Sequence, residues 1–265
     1  MSAPTSPATP PVVEIDRVSV RYGTGADTVL ALADISLSVP RSSFLTILGP
    51  SGCGKSTLLN LIAGFALPTE GSVKVEGETV TGPSARKGVV FQDSSALFPW
   101  LSVAQNVAFG LKANGTPRDE RRRRVAAALD LVGLSGFTER YPRELSGGMR
   151  QLAALARVLV LEPPVLLMDE PFAALDAMTR ERMQAQLTEI WARTGLTTIF
   201  ITHSVDEALY LGDDVVVMSR RPGTVKARLR VDLERPRIAT SAAFNALKLE
   251  ALENLQSHPG KADLK

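Results

Sequence analysis

Cysteine and long apolar runs are both scarce in this chain of 265 residues. Cys53 is the single cysteine, so no internal disulfide can form, and the sequence fits a reducing compartment. The apolar stretch 153–168 is broken by Arg157, Glu162 and two prolines. No stretch approaches the roughly 20 uninterrupted apolar residues that a membrane-spanning helix needs. The sequence therefore predicts neither a disulfide-stabilised scaffold nor a membrane span.

Charge of one sign is not in large excess. Lysine and arginine together number 30 against 28 aspartates and glutamates, a net charge of +2. The densest basic run, 121–124, lies beside Asp119 and Glu120 in a helical pattern, which is typical of a solvated helix face. We therefore expect no nucleic-acid partner.

Residues 1–11 are rich in proline, serine, threonine and alanine and contain neither a basic start nor an apolar core. That composition predicts a disordered leader and not a signal peptide, so we expect a cytoplasmic protein. The chain as a whole is 45% hydrophobic, which is enough for one α/β core with a helical insert.

A phosphate-binding loop is the strongest motif. The segment 49–57 reads Gly-Pro-Ser-Gly-Cys-Gly-Lys-Ser-Thr, between an apolar run at 44–48 and a helical pattern from Leu58. Glycines let consecutive N–H groups point inward, and the helix N-terminus adds positive potential, so a nucleotide phosphate is the expected ligand. The residues predicted to bind the nucleotide are Gly49, Pro50, Ser51, Gly52, Cys53, Gly54, Lys55, Ser56 and Thr57.

Individual residues of this loop have distinct expected roles. Lys55 is expected to reach the β and γ phosphates, and the Ser56 hydroxyl to ligate Mg²⁺. Thr57 is expected to support the loop from behind. Because Cys53 lies inside the loop, a bulky thiol reagent is expected to block nucleotide binding and ATP to protect against it.

Two carboxylates follow a second buried-strand pattern. Residues 165–168 are apolar, and Asp169 and Glu170 come directly after them. The carboxyl ends of parallel strands form the edge where ligands bind. Asp169 there suits a Mg²⁺ contact through water, and Glu170 is placed to polarise, as general base, the water that attacks the γ-phosphate.

A second glycine-rich segment, 145–151, reads Leu-Ser-Gly-Gly-Met-Arg-Gln. Ser146 is a good N-cap for a helix over 147–160. Its hydroxyl and the amides that follow form another helix start suited to an anion.

Together these motifs resemble the nucleotide-binding subunit of an ATP-binding-cassette (ABC) transporter, over about residues 12–231. Further family markers occur in order along the chain. Tyr22 matches the aromatic residue that stacks on adenine, and Gln92 matches the glutamine that contacts Mg²⁺ or the attacking water. His203 matches the histidine that senses the γ-phosphate. Asp176, after Ala-Ala-Leu, resembles the loop that crosses between two subunits.

The resemblance implies an α/β fold, a P-loop NTPase ABC cassette with a RecA-like parallel-sheet core and a β-rich antiparallel subdomain. An α-helical subdomain is expected at about 93–161, and Tyr22 in a loop of the β-rich part. Residues 232–265 are expected to form a linker and a C-terminal helix. ATP and Mg²⁺ are the implied cofactors. The implied catalytic residues are Lys55, Gln92, Glu170 and His203, and the implied metal contacts are Ser56, Gln92 and Asp169.

The resemblance also implies partners. In the family two subunits stack head to tail, so Ser146, Gly147 and Gly148 of one copy close over ATP held by the other. Transmembrane permease subunits are expected to dock near 92–101, at the cytoplasmic face of the membrane. A periplasmic or extracellular solute-binding protein is expected to act indirectly.

Three segments, 98–101, 168–172 and 219–225, most resemble importers of nitrate, sulfonate, taurine and bicarbonate. Importers of other small organic solutes, such as pyrimidine vitamin precursors, remain an alternative. ABC ATPases of nucleic-acid metabolism form another class, but they carry long insertions or a second cassette, and neither occurs here. Leu152 and Ala173 depart from the usual family residues without removing a catalytic group.

Overall fold

Two β-sheets organise the chain. The computed structural model describes residues 10–23, 25–91 and 97–256. Within these residues a four-stranded sheet has the order β2-β1-β4-β5 and a six-stranded sheet the order β10-β9-β3-β8-β7-β6. The strands are β1 Val13–Tyr22, β2 Val29–Val39, β3 Phe44–Leu48, β4 Glu70–Val75, β5 Glu78–Thr79, β6 Lys87–Val90, β7 Val165–Asp169, β8 Thr197–Thr202, β9 Asp214–Met218 and β10 Val225–Arg230.

The four-stranded sheet is antiparallel throughout. Val13 of β1 lies opposite Val39 of β2 on one side and Val75 of β4 on the other. All three valines are buried, because one face of this sheet packs on the core. Tyr22 is the last residue of β1 and not a loop residue, which corrects the expectation from the sequence.

The six-stranded sheet is parallel from β9 across to β6, and β10 is its antiparallel edge strand. Every residue of β3, β8 and β9 is buried, as expected of strands covered on both faces. This arrangement brings the ends of β3, β7, β8 and β9 to one edge of the sheet.

Seven α-helices occur in the described residues. They are α1 Lys55–Ala63, α2 Val103–Ala113, α3 Arg118–Leu131, α4 Gly147–Leu159, α5 Ala177–Thr194, α6 Val205–Leu211 and α7 Ala242–Gln256. Helices α2, α3 and α4 pack on one another and lie within the segment 93–161. No helix in the described residues is both long and apolar enough to cross a bilayer.

The basic run on α3 is only partly solvated, in contrast to the expectation from the sequence. Arg122 and Arg123 are exposed, whereas Arg121 and Arg124 are half-buried. The Arg124 guanidinium donates to the Val160 carbonyl at 2.7 Å. Arg124 thus holds α3 against the end of α4.

The chain after β10 packs against α6 and β9. Phe244 and Ala251 of α7 are buried there. The buried Arg237 side chain donates to the carbonyls of Leu209 and Gly212 at the end of α6, at 2.7 and 2.5 Å. Burial, assisted by the neighbouring Arg235 charge, lowers the pKa of Arg237 to about 10.

Candidate nucleotide-binding site

The loop between β3 and α1 has the geometry of an anion site. Gly54 is the N-cap of α1 with φ 103°, and no side chain caps the helix. A Cβ at position 54 would lie 2.5 Å from Leu32 Cδ2, so both the backbone angle and the packing favour glycine. The first N–H groups of α1 therefore point toward the loop, where a phosphate can accept from them.

Lys55 lies at the centre of this loop. Its side chain is only 5% exposed, and Nζ donates to the carbonyls of Gly49 at 2.8 Å and Pro50 at 3.2 Å. Glu170 Oε1 is 3.8 Å from the same Nζ. The ammonium is thus held between the phosphate-binding loop and the end of β7.

An open pocket of about 430 Å³ surrounds the loop. Its walls include strand residues of β1 and β2, the phosphate-binding loop with Lys55, one carboxylate, and a second cationic residue from the chain after β9. The lining residues are Tyr22, Val29, Ala31, Ser51, Gly52, Gly54, Lys55, Ser56, Thr57, Glu170 and Arg221. Thr57, for which the sequence predicted a place behind the loop, therefore borders the pocket, and Arg221 is a lining residue that the sequence did not indicate.

Cys53 has a different orientation from its neighbours. Its side chain is 1% exposed and packs in the core cluster with Leu32 and Met218. Burial raises the pKa of the Cys53 thiol, and the nearby Lys55 charge only partly opposes the rise. The burial of the thiol argues against the expected block of nucleotide binding by a bulky thiol reagent, while the backbone of Cys53 still belongs to the loop.

Asp169 and Glu170 lie at the carboxyl end of β7, as the sequence indicated. Burial raises the pKa of the Asp169 carboxyl, and a hydrogen-bond interaction with the Ser56 hydroxyl opposes the rise. Glu170 has φ 42°, a left-handed conformation that is strained for a residue with a long side chain. The strain is offset in part by the bond from Glu170 N to the Ile201 carbonyl at 3.1 Å.

His203 follows β8 and meets Glu170. Its Nδ1 lies 2.9 Å from Glu170 Oε2, while 58% of the histidine side chain remains exposed. An ionised carboxylate accepts this hydrogen bond from the histidine tautomer that has its proton on Nδ1. Glu170 is therefore held between His203 on one oxygen and Lys55 on the other.

A buried polar network fixes the start of α6 next to His203. Glu207 accepts from Gln184 Nε2 at 3.2 Å and from the Thr202 hydroxyl. The Arg180 Nε lies 3.8 Å from the same carboxylate, and another nitrogen of Arg180 donates to the Leu175 carbonyl at 3.0 Å. Sequence reasoning missed Glu207, because its partners come from β8 and α5 and no local motif marks it.

The second glycine-rich segment lies outside this pocket. Ser146 is the N-cap of α4, and its hydroxyl accepts from Met149 N at 3.3 Å. A Cβ at Gly148 would lie 3.1 Å from Thr179 Cγ2, so the segment packs on the start of α5. Asp176 caps α5 by accepting from Thr179 N at 3.0 Å. None of the predicted residues 146–148 and 176 is among the described residues that line the pocket.

Gln92 lies outside the described residues, as do residues 93–96. The chain that follows is pinned by Asn106, whose buried side chain accepts from Phe98 N at 2.8 Å and donates to the Leu101 carbonyl at 3.0 Å. Trp100 is 70% exposed beside Phe98, with ring centroids 5.5 Å apart. Arg157 stacks over Phe98 at 4.5 Å. We call Phe98, Trp100, Phe109 and Arg157 the aromatic surface.

Comparison with known proteins identifies the family of the chain. The model of the family described as ABC transporter matches residues 32–173. A taurine import ATP-binding protein of Pseudomonas aeruginosa is 51% identical over 233 residues, covering 88% of each chain. An uncharacterized ABC transporter ATP-binding protein of Methanocaldococcus jannaschii is 47% identical over 252 residues, covering 92% of this chain and 94% of the relative.

Solved structures agree with this. The structure of cbiO1 from Clostridium perfringens, part of the ABC transporter complex cbiONQ, has a TM-score of 0.79 and 30% identity. That match covers 94% of this chain and 96% of cbiO1. A dimeric ATP-binding cassette, bound to ADP and Pi in a post-hydrolysis state, has a TM-score of 0.69 and 30% identity. It is matched over 84% of this chain and 100% of its own.

The chain belongs to the ABC transporter family. The predicted α/β cassette fold is confirmed, and so is the ATP-binding character of the protein.

Proposed function

We propose that this chain is the ATP-hydrolysing subunit of an ABC importer for small solutes, most closely of the taurine, sulfonate and nitrate type. The convergence of Lys55 and His203 on the two oxygens of Glu170, at the mouth of the phosphate-binding loop, carries the proposal. The taurine import relatives, at about half identity over most of their length, support import as the direction of transport.

The chemistry follows from the positions of these groups. Lys55 and the first amides of α1 bind the phosphates and offset their charge. Glu170 polarises the water that attacks the γ-phosphate, while His203 orients the Glu170 carboxylate and contacts the γ-phosphate through its exposed edge. Once the γ-phosphate leaves, the groups that held it lose their common ligand, which favours opening of the site.

The residues present fit a Mg²⁺ ion. Magnesium prefers oxygen ligands and keeps several waters, taking one or two protein oxygens beside the substrate phosphates. The Ser56 hydroxyl and the Asp169 carboxylate interact with each other at the pocket edge and supply such oxygens. Gln92 is the third proposed contact and lies outside the described residues. When bound, the ion neutralises charge on the β and γ phosphates.

A second copy of the chain completes the site in this proposal. Ser146, Gly147 and Gly148 start a helix whose amides suit an anion, yet they lie away from the pocket of their own chain. A head-to-tail dimer places them over ATP held by the partner's phosphate-binding loop, with Asp176 near the crossing. The dimeric form of the related cassette bound to ADP and Pi supports a dimer.

The aromatic surface is the proposed docking site of the permease, at the cytoplasmic face of the membrane. Large exposed aromatics side by side are costly in water and mark interaction surfaces. Because Asn106 of α2 is hydrogen-bonded to the backbone at Phe98 and Leu101, motion of α2 can reach this surface. A solute-binding protein then contributes only through the permease.

Solute uptake tests the proposal directly. Cells that lack the gene are complemented with the wild type or with Glu170→Gln, and uptake of labelled taurine, nitrate and a pyrimidine vitamin precursor is compared. Taurine or nitrate uptake that needs an intact Glu170 supports the proposal. Uptake of only the pyrimidine compound would shift the solute class, and unchanged uptake of all three would contradict a role in their import.

A further inference from the structure

The segment after β9, residues 219–224, is hydrogen-bonded to β2 and passes close to the phosphate-binding loop. Gly223 N donates to the Ala31 carbonyl at 2.9 Å, and Ala33 N donates to the Gly223 carbonyl at 3.0 Å. A Cβ at Gly223 would lie only 2.1 Å from the Cys53 carbonyl oxygen. The two backbones therefore touch, and only glycine permits the contact.

The same segment is closed by its own hydrogen bonds. Ser219 N donates to the Thr224 carbonyl at 3.0 Å, and Thr224 N donates to the Ser219 hydroxyl at 2.9 Å. The residues between them, including Arg221, thus extend from a base that is fixed relative to the pocket. Arg221 itself is exposed and lines the pocket beside Tyr22 and Ala31.

The sheet order places Arg221 across the phosphate-binding loop from the hydrolytic residues. The loop follows β3, and Glu170 and His203 follow β7 and β8 on one side of that strand. Arg221 follows β9, on the other side. The segment that carries Arg221 is hydrogen-bonded to Ala31 and Ala33 of β2, and Ala31 lines the pocket with Tyr22 and Val29.

The pocket is lined by a second cationic side chain besides Lys55. Lys55 and Arg221 are the cationic residues among those described as lining the pocket, and Lys55 lies 3.8 Å from the Glu170 carboxylate. Arg221 makes no hydrogen bond or ion pair with the residues that the structure describes. The N–H donors of a guanidinium group in that position can bond to phosphate oxygens and ribose hydroxyls.

We propose that Arg221 is a nucleotide-binding residue that contacts ATP on its nucleoside side, at the ribose and α-phosphate. The inference rests on ATP binding in this pocket and on no particular solute. ATP and ADP share these groups, so Arg221 contributes equally to the affinity for both. This property sets Arg221 apart from Glu170 and His203, which respond to the γ-phosphate.

The test compares Arg221→Gln with Arg220→Gln in the full-length chain. Both changes remove one positive charge from the same short segment, and Arg220 does not line the pocket. Calorimetric titration with ADP and a non-hydrolysable ATP analogue is expected to give a roughly tenfold weaker Kd for Arg221→Gln with each nucleotide, the order expected for one charge-assisted hydrogen bond. Arg221→Lys should recover part of the loss, and Arg220→Gln should bind as the wild type.

Four results would overturn the inference. Unchanged affinity of Arg221→Gln, or an equal loss in Arg220→Gln, would reduce Arg221 to a surface charge. Weaker binding of the ATP analogue alone would place Arg221 at the γ-phosphate. A wild-type chain that binds neither nucleotide would overturn the nucleotide site as a whole, which separates failure of the proposed function from failure of this inference. Thermal unfolding of each variant checks that the fold is intact.

Discussion

His203 Nδ1 lies 2.9 Å from Glu170 Oε2, although the two residues end different strands. The contact exists because β7 and β8 are parallel neighbours, with Asp169 opposite Ile201, so both side chains leave the sheet at the same edge. Glu170 reaches its position at the cost of a positive φ angle. The carboxylate is therefore held by groups of its own chain, as general-base catalysis by Glu170 would require.

Glu170→Gln is expected to lower ATP hydrolysis by about 10²–10⁴-fold, because the amide cannot accept a proton from water. ATP binding should persist, since the side chain keeps its size and Lys55 keeps its carbonyl partners. Steady-state ATPase rates and nucleotide titration measure the two effects. Glu162→Gln is a matched control. Glu162 also has a positive φ angle, but its side chain is exposed and its ion-pair partner is Arg124, 3.3 Å away, instead of Lys55. Hydrolysis at the wild-type rate in Glu170→Gln would remove Glu170 as the base.

A head-to-tail site predicts complementation between two inactive variants. Lys55→Ala removes the ammonium group that we expect to bind the phosphates. Ser146→Arg blocks the start of α4, which we expect to contact the ATP held by the partner. In a mixed dimer one of the two sites contains neither change, so a mixture should hydrolyse ATP faster than either variant alone. A mixture of wild type with Lys55→Ala shows how much activity one intact site provides. No gain at any mixing ratio would mean that Ser146 acts within its own chain.

Local sequence signals predicted the parts of the site that local structure builds. The strand, loop and helix around Lys55 and the N-cap at Ser146 depend on residues within a few positions, and the structure has them as expected. The direction of Cys53, by contrast, is set by Leu32 and Met218 from other strands. Arg221 and Glu207 reach their positions through packing of distant segments, and no periodicity or motif in the sequence encodes such packing.

Cys53 should resist thiol reagents in the native protein, with or without ATP, because its side chain is buried. Its pKa is raised by burial above the ordinary 9.0, so the neutral thiol favours the folded state. The unfolded chain loses this proton first as the pH rises, so the stabilisation is present below pH 9.0 and is lost as pH passes the folded pKa.

Two measurements check the prediction for Cys53. Labelling with iodoacetamide should be slow in buffer and fast in denaturant. The difference in free energy of unfolding between wild type and Cys53→Ala should be constant near neutral pH and shrink at alkaline pH, since the alanine variant has no thiol to titrate. Rapid labelling of the native chain, or a difference that grows with pH, would contradict the buried position.

Glu207 should matter for stability far more than its neighbour Asp206. Glu207→Ala leaves the Thr202 hydroxyl and the Gln184 amide without their shared acceptor in a buried place, and it removes the carboxylate charge 3.8 Å from Arg180 Nε. Leaving such groups unpaired costs about 2–4 kcal/mol of unfolding free energy. The Thr202 hydroxyl also accepts from Ser204 N at 3.0 Å, on the far side of His203, so the loss should reach the histidine as well.

Denaturant unfolding of Glu207→Ala and Asp206→Asn gives the comparison. Asp206 is exposed and pairs with Lys248 at 2.6 Å, and an exposed pair of this kind contributes less than about 1 kcal/mol. Both residues lie in the first turn of α6. The difference between their losses of unfolding free energy therefore reports the effect of burial and not of position in the helix. Equal, small losses of unfolding free energy in the two variants would mean that the polar network around Glu207 does not stabilise the fold. A large loss confined to Glu207→Ala, together with reduced ATP hydrolysis, would identify the network as the support of His203.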